Sequence, residues 1–229
     1  MNPQSPSPET PEGVLKIIRR EVLEEIPEVR NAYLARFAPE VEKFCSEITE
    51  TFGAYRALDA ASKDKETAYV SALAFSALNS ALVSMRFLVS GYQVASGALF
   101  RQTLETVALA ILCATPSLGI MARFINDTYS TQKAIRDLLR NANKLDLSPV
   151  GVQALGRSRA FFHQFSHPSR LSLATLTSLS GRGIYLGAAF DEAKLEAYRK
   201  EIEARVSVAK LLTNIFTGIR EGRHADSAA

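Results

Sequence analysis

Apolar residues return every third or fourth position along most of the chain while strict alternation is nearly absent, a pattern that predicts helices rather than strands. Val14, Ile18, Val22 and Ile26 make one stripe over residues 12–26, and Pro27 breaks it. A second helical stretch covers 28–37 and stops ahead of Pro39, whose ring suits the first turn of a third helix. In that third helix Val41, Phe44, Cys45, Ile48, Phe52 and Tyr55 recur at helical spacing. Residues 59–66 are small and charged and read either as a linker or as the exposed start of the next helix. From about 67 to 90 the chain is apolar on most faces, as expected of a helix that others wrap around.

Gly91 and Gly97 flank the start of the following helix, which runs to Ala114 before Thr115-Pro116 ends it. One further helix fits 118–140, with Ile120, Phe124, Thr128, Ile135 and Leu138 roughly on one face, and 141–151 is a polar connection rich in turn formers. A short helical stretch then ends at His163 or His167, because Pro168 must interrupt or open a helix. Residues 171–190 are the least helical and predict a loop with a small extended piece at 184–186. The last helix is the clearest: Asp191 is a good N-cap, and Leu195, Tyr198, Ile202, Val206, Ala209, Leu212, Phe216 and Ile219 follow along one face. The expected fold is all-α, a helical bundle of about six helices forming a single domain over 12–221. Residues 1–11 are expected to be a disordered tail and 222–229 a frayed one in which His224 is incidental.

Composition narrows this picture. A chain of 229 residues can bury one core without staples. Residues 67–85 carry no charge, yet Asn79 and several serines make them too polar for a membrane span, so a core helix and no membrane partner are expected. The opening MNPQSPSPETPEG lacks a basic segment followed by an apolar one, which points to a cytoplasmic location. Cys45 and Cys113 are isolated in apolar periodic segments and are expected to be buried free thiols. No glycine-rich phosphate loop, HExxH, paired cysteines or Gly-x-Ser-x-Gly occurs, and no cofactor is expected.

The net charge of +3 is unevenly placed: the first 66 residues hold thirteen acids and nine bases, whereas 133–182 hold eight bases and two acids. Such separation suits an anionic partner or pairing with a second copy. Within the basic part, RSRAFFHQFSHPSR at 157–170 concentrates two of the three histidines with three arginines. His163 and His167 are four apart and would point the same way on a helix. A metal is not expected, since no further ligand cluster accompanies them. General acid or base work by one histidine is the more natural chemistry, with Arg157, Arg159 and Arg101 stabilising negative charge. Phe161, Phe162 and Phe165 could stack nucleobases, but the spacing favours burial of Phe161 and Phe165. Arg101 and Glu105, also four apart, lie in an otherwise apolar helix, where either charge alone would be costly to bury. They predict an internal ion pair or the charged floor of a pocket.

Two resemblances attach to these residues. Arg157, five intervening residues and His163 resemble the Arg-x(4-6)-His element of the HEPN superfamily, helical bundles that include metal-independent RNA-cutting toxins. That likeness implies that Arg157 and His163 act at a scissile phosphate within a dimer. GYQVASGALFRQTLETVALAIL followed by FFHQFSHPS is similar to a group of uncharacterised bacterial helical proteins sharing an Arg-x-x-x-Glu helix and a Ser-x-x-x-His-Pro-Ser-like element. The matching positions are Arg101, Glu105, His167, Pro168 and Ser169, over residues 67–215; the pattern's first serine is not at its usual distance, though Ser166 adjoins His167.

The combined expectation is that Arg101 and Glu105 face His167 and that the Glu105 carboxylate hydrogen-bonds its imidazole, as orienting groups do in many active sites. The same trio could equally lock the bundle. The expected function is a soluble helical interaction or regulatory protein with a polar centre. The alternatives are a HEPN-like metal-independent endoribonuclease or defence-related protein, and a small-molecule binder at the bundle centre. Catalytic candidates are Arg101, Glu105, Arg157, His163 and His167; binding candidates are Arg159, Ser169 and Arg170. The expected partners are a second copy of the chain and RNA or another anionic ligand.

Overall fold

The computed structural model describes residues 11–181 and 183–222. Apart from Pro11 and Gly222, the two predicted tails, with His224, lie outside the described residues. Among the described residues the fold is all-α. Its helices are α1 (Pro11–Leu23), α2 (Pro27–Ala60), α3 (Lys65–Val89), α4 (Gln93–Cys113), α5 (Ile120–Ile125), α6 (Ala134–Arg140), α7 (Pro149–His163), α8 (Arg170–Leu176) and α9 (Leu195–Arg220). The nearest thing to a sheet is one antiparallel bridge between Thr177 and Ile184, within reach of the extended piece expected at 184–186.

Local chemistry explains where the helices start and bend. Asp64 and Thr67 form a reciprocal capping box, the Asp64 carboxylate accepting from the Thr67 backbone N–H at 2.8 Å, which fixes the start of α3. The charged stretch before it is therefore the end of α2 and a tight turn. Pro39 does not end a helix: α2 runs through it, and Phe37 takes up the kink at φ −133° and ψ 16°, relieving the clash of the proline ring with the preceding turn.

Two further expectations fail. The single helix over 118–140 is instead α5 and α6, separated by a turn in which Asp127 is left-handed at φ 54°. The buried Tyr129 ring is held there by its hydroxyl donating to Asp137 Oδ2 at 3.0 Å. Residues 171–190 are not all loop, because Ser169 and Ser172 cap each other and open α8. At the other end of the chain, Asp191 caps a short 3-10 turn at Glu192–Lys194 from which α9 continues. Its carboxylate also accepts from the Leu179 N–H at 2.7 Å.

Helices α3 and α4 pair along their length at the centre, α2 packs on α9 and α3, and α4 carries α6 and α7 on its other side. Leu88, Leu104, Ala108, Leu112, Leu212 and Phe216 fill the space between them. Helix α3 is long and apolar enough to cross a membrane, but half of its most apolar window is buried against its neighbours, as in a core helix. Gly97 decides how α7 docks. The Phe165 ring lies where a Cβ at position 97 would be, 2.4 Å from it, so only glycine lets the end of α7 seat against α4.

Two predicted core residues face outward. Cys45 is exposed because Phe44, Ile48 and Thr51 take the inward stripe of α2, whereas Cys113 is buried and its thiol is pushed up to about 12 by desolvation. Phe161 is 43% exposed, because Val152, Leu155 and Phe162 define the buried stripe of α7 and Phe161 falls one residue off it.

Candidate functional site

Glu105 of α4 receives two guanidinium groups. Arg101, one turn earlier, donates from Nε to Oε1 at 3.0 Å and from Nη2 to Oε2 at 3.4 Å. Arg159 of α7 donates from Nε to Oε1 at 2.9 Å. The Arg101 and Glu105 side chains are each 12% exposed and that of Arg159 is 24% exposed, so the cluster lies at the edge of the core rather than inside it. Two cations on one anion leave the local sum positive.

His163 is one helical turn beyond Arg159 and presents the same face of α7. Its ring is half-buried, and Nδ1 is buried without a hydrogen-bond partner. Desolvation lowers its pKa from the ordinary histidine range, and the charges of Arg101, Arg159 and the second imidazole add to that, against a smaller opposing pull from Glu105. The imidazole is thereby biased toward its neutral form. His167 is exposed and meets His163 edge-on, with ring centroids 4.7 Å apart.

The expected hydrogen bond from Glu105 to His167 is absent among the described residues. The two arginines already occupy the carboxylate, and α7 ends at His163, so His167 approaches the cluster only through the other imidazole. Ser169 serves as the N-cap of α8, accepting from the Ser172 N–H at 3.0 Å and donating to the Gln164 carbonyl at 2.8 Å. Arg170 is exposed. Arg157 lies six residues before His163 and so points well round the helix from it, which makes Arg159 the arginine that shares the histidine's face.

Arg157 instead lines an open groove of about 450 Å³ between α6 and α7, together with Arg136, Arg159, Gln132 and Gln153. Arg159 thus belongs to both places, its Nε donating to Glu105 while the residue also lines the groove. Of the eight bases of 133–182, Arg136, Arg157 and Arg159 line this groove.

Sequence reasoning missed a second arginine–carboxylate pair, Glu201 and Arg205 on α9, which is fully enclosed. Arg205 donates to Ser84 Oγ at 2.9 Å, to the Glu201 carbonyl at 2.8 Å and to Ser96 Oγ at 2.6 Å, and its guanidinium lies over the rings of Phe100 and Phe162. Gln93 donates to the Glu201 carboxylate. Burial pushes the Glu201 carboxyl up and pulls the Arg205 guanidinium down to about 10, which leaves the arginine charged at neutral pH. The signal was present: position 205 falls on the stripe of Tyr198, Ile202, Ala209 and Leu212 three or four residues from its neighbours, so a charge there had to be buried.

Among the described residues no three His, Cys, Asp or Glu side chains converge as metal ligands would. No family model matches the chain, and neither curated proteins nor solved structures give a significant match. Fold and geometry therefore define its class directly: an all-α bundle with a sealed ionic lock in its core and, at the edge of the core, a half-open, net-positive cluster with a neutral-biased imidazole.

Proposed function

We propose that the protein is a helical interaction module that binds an anionic partner through the α6–α7 groove and the adjoining Arg101–Glu105–Arg159–His163 cluster. The observation that carries this reading is the convergence of Arg136, Arg157 and Arg159 on one groove, with Arg159 already oriented by Glu105. A guanidinium fixed on one edge loses less freedom when its other edge meets a phosphate. Single-stranded RNA is the anion best matched to an open, arginine-lined groove on a helix that also exposes an aromatic ring, Phe161. Fluorescence anisotropy of a labelled RNA oligonucleotide tests it. Binding that weakens with salt, and weakens further when Arg136 and Arg157 become Ala, supports the reading; no binding at low salt, or binding indifferent to both changes, refutes it.

A second reading, metal-independent cleavage of RNA in the manner of the HEPN superfamily, draws on His163. An imidazole with a lowered pKa beside two guanidinium groups has the protonation state of a general base and the charge needed by a phosphorane-like transition state. His163→Ala and His167→Ala, assayed separately on RNA in the presence of chelator, decide it. Loss of cutting with retained binding supports catalysis; no cutting by the unaltered protein removes it.

A further inference from the structure

Helix α1 has an apolar stripe, Leu15, Ile18 and Val22, and yet none of its residues is buried. A second unpartnered apolar surface lies on α8 and the segment after it, where Leu173, Leu176, Leu179, Ile184 and Leu186 point outward. These eight side chains are between 42% and 83% exposed.

The two surfaces are joined and held. Glu21, between Ile18 and Val22 on α1, accepts from the Ala188 N–H at 2.9 Å. Gly187 at φ +84° lies so close to the same carboxylate that a Cβ there would come within 1.9 Å of it, so the contact requires glycine. The segment itself is pinned from below: Lys194 donates to the Thr175 carbonyl at 2.9 Å, Tyr185 N–H to the Leu176 carbonyl at 2.7 Å, and Ser178 N–H to the Gly183 carbonyl at 3.0 Å. Exposed leucines on a frame fixed by one buried lysine–carbonyl bond and a pair of backbone hydrogen bonds are displayed, not frayed.

We infer that this joined surface is the contact face for a second copy of the chain. The eight side chains present on the order of 700 Å² of apolar area, more than the ~300–600 Å² of the largest patch on a typical monomer and close to the ~800 Å² that each partner gives to a standard interface. A helix stripe and an apolar ledge on one molecule are complementary under a two-fold axis, the α1 of each copy lying on Leu173, Leu176, Leu179, Ile184 and Leu186 of the other. Charge points the same way. Residues 12–28 carry Lys16, Arg19 and Arg20 against Glu12, Glu21, Glu24, Glu25 and Glu28, an acidic excess unsuited to an anionic membrane, and residues 171–190 contain no acid and a single base. The inference is independent of the anionic-partner reading, since no residue is shared with the groove.

Light scattering of the full chain over a range of concentrations tests it, with a mass of twice 25.0 kDa expected. Ile184→Glu combined with Leu186→Glu, and separately Val22→Glu, should each weaken self-association at least about a hundredfold while circular dichroism keeps its helical signal. Phe75→Glu, an exposed aromatic on α3 away from this face, should leave the dimer intact. The inference is overturned by a chain that stays monomeric at every concentration, whether or not it floats with neutral or anionic lipid vesicles. A dimer that survives both patch variants, or one that Phe75→Glu dissolves as readily, overturns it as well.

Discussion

Two arginine–glutamate pairs with the same four-residue spacing each reach α7, one through Phe162 and one through Arg159, and they behave differently. Around Arg205 each guanidinium nitrogen donates to Glu201, Ser84 or Ser96, both flanking rings are in place, and the two side chains are almost completely buried, so the pair is closed to solvent. Around Glu105 the count runs the other way: two cations share one anion, solvent reaches all three side chains, and the neighbouring His163 keeps a buried nitrogen without a partner. Spacing makes the pair, but saturation decides whether it is a lock or a site. Phe162 and His163, adjacent on α7 and about 100° apart around it, belong one to each.

The sharpest way to break this contrast is Arg205→Ala. It leaves the Glu201 carboxylate enclosed without its partner and should cost about 3–5 kcal/mol in urea denaturation, because removing one member of a buried pair strands the other. A cost below about 1 kcal/mol would mean that the lock is no lock. Glu105→Gln, at the half-open pair, should cost less, about 1–2 kcal/mol, since solvent can take over part of what the carboxylate did for the arginines. It also removes the one charge that raises the His163 pKa, so proton NMR titration should find that imidazole titrating at still lower pH than in the unaltered protein. An upward shift would show that Glu105 does not act on His163.

Much of the outer region was legible in the sequence and most of the inner one was not, for a physical reason. Arg101 and Glu105 stand out because α4 carries no other charged residue, and the histidines because they are rare. Arg205 hides in a helix with several other charged residues, where only its phase relative to Tyr198 and Ala209 marks it as inward-facing. The helices themselves followed from periodicity, whereas the break between α5 and α6 depended on a left-handed Asp127 and a tyrosine anchored to Asp137, contacts that no local pattern announces. The pairing of Glu105 with Arg159 instead of His167 likewise came from where α7 ends and how Gly97 lets it dock.

The pH dependence of stability gives a finer test. The folded-state pKa of His163 lies below that of an unfolded histidine, near 6.5, so between those values the unfolded chain binds more protons than the folded one. Stability from this residue is therefore complete above about pH 6.5 and declines as the pH falls through the folded value. His163→Phe should remove that decline between neutral pH and pH 5, measured as the change in melting temperature against pH. A slope unchanged by the substitution would assign the proton uptake to other groups.

The smallest effect is the one that separates recognition from architecture. Arg157 is exposed on the groove wall with no ion-pair partner among the described residues, so Arg157→Ala should change stability by no more than about 0.5 kcal/mol. Arg159→Ala, at the shared position, should both destabilise by pulling a donor off Glu105 and weaken anion binding. If the groove binds phosphates, Arg157→Ala should lower the dependence of log affinity on log salt by about one unit at unchanged melting temperature. A loss of melting temperature comparable to that of Arg159→Ala would place Arg157 in the fold instead and leave the groove without its outer cation.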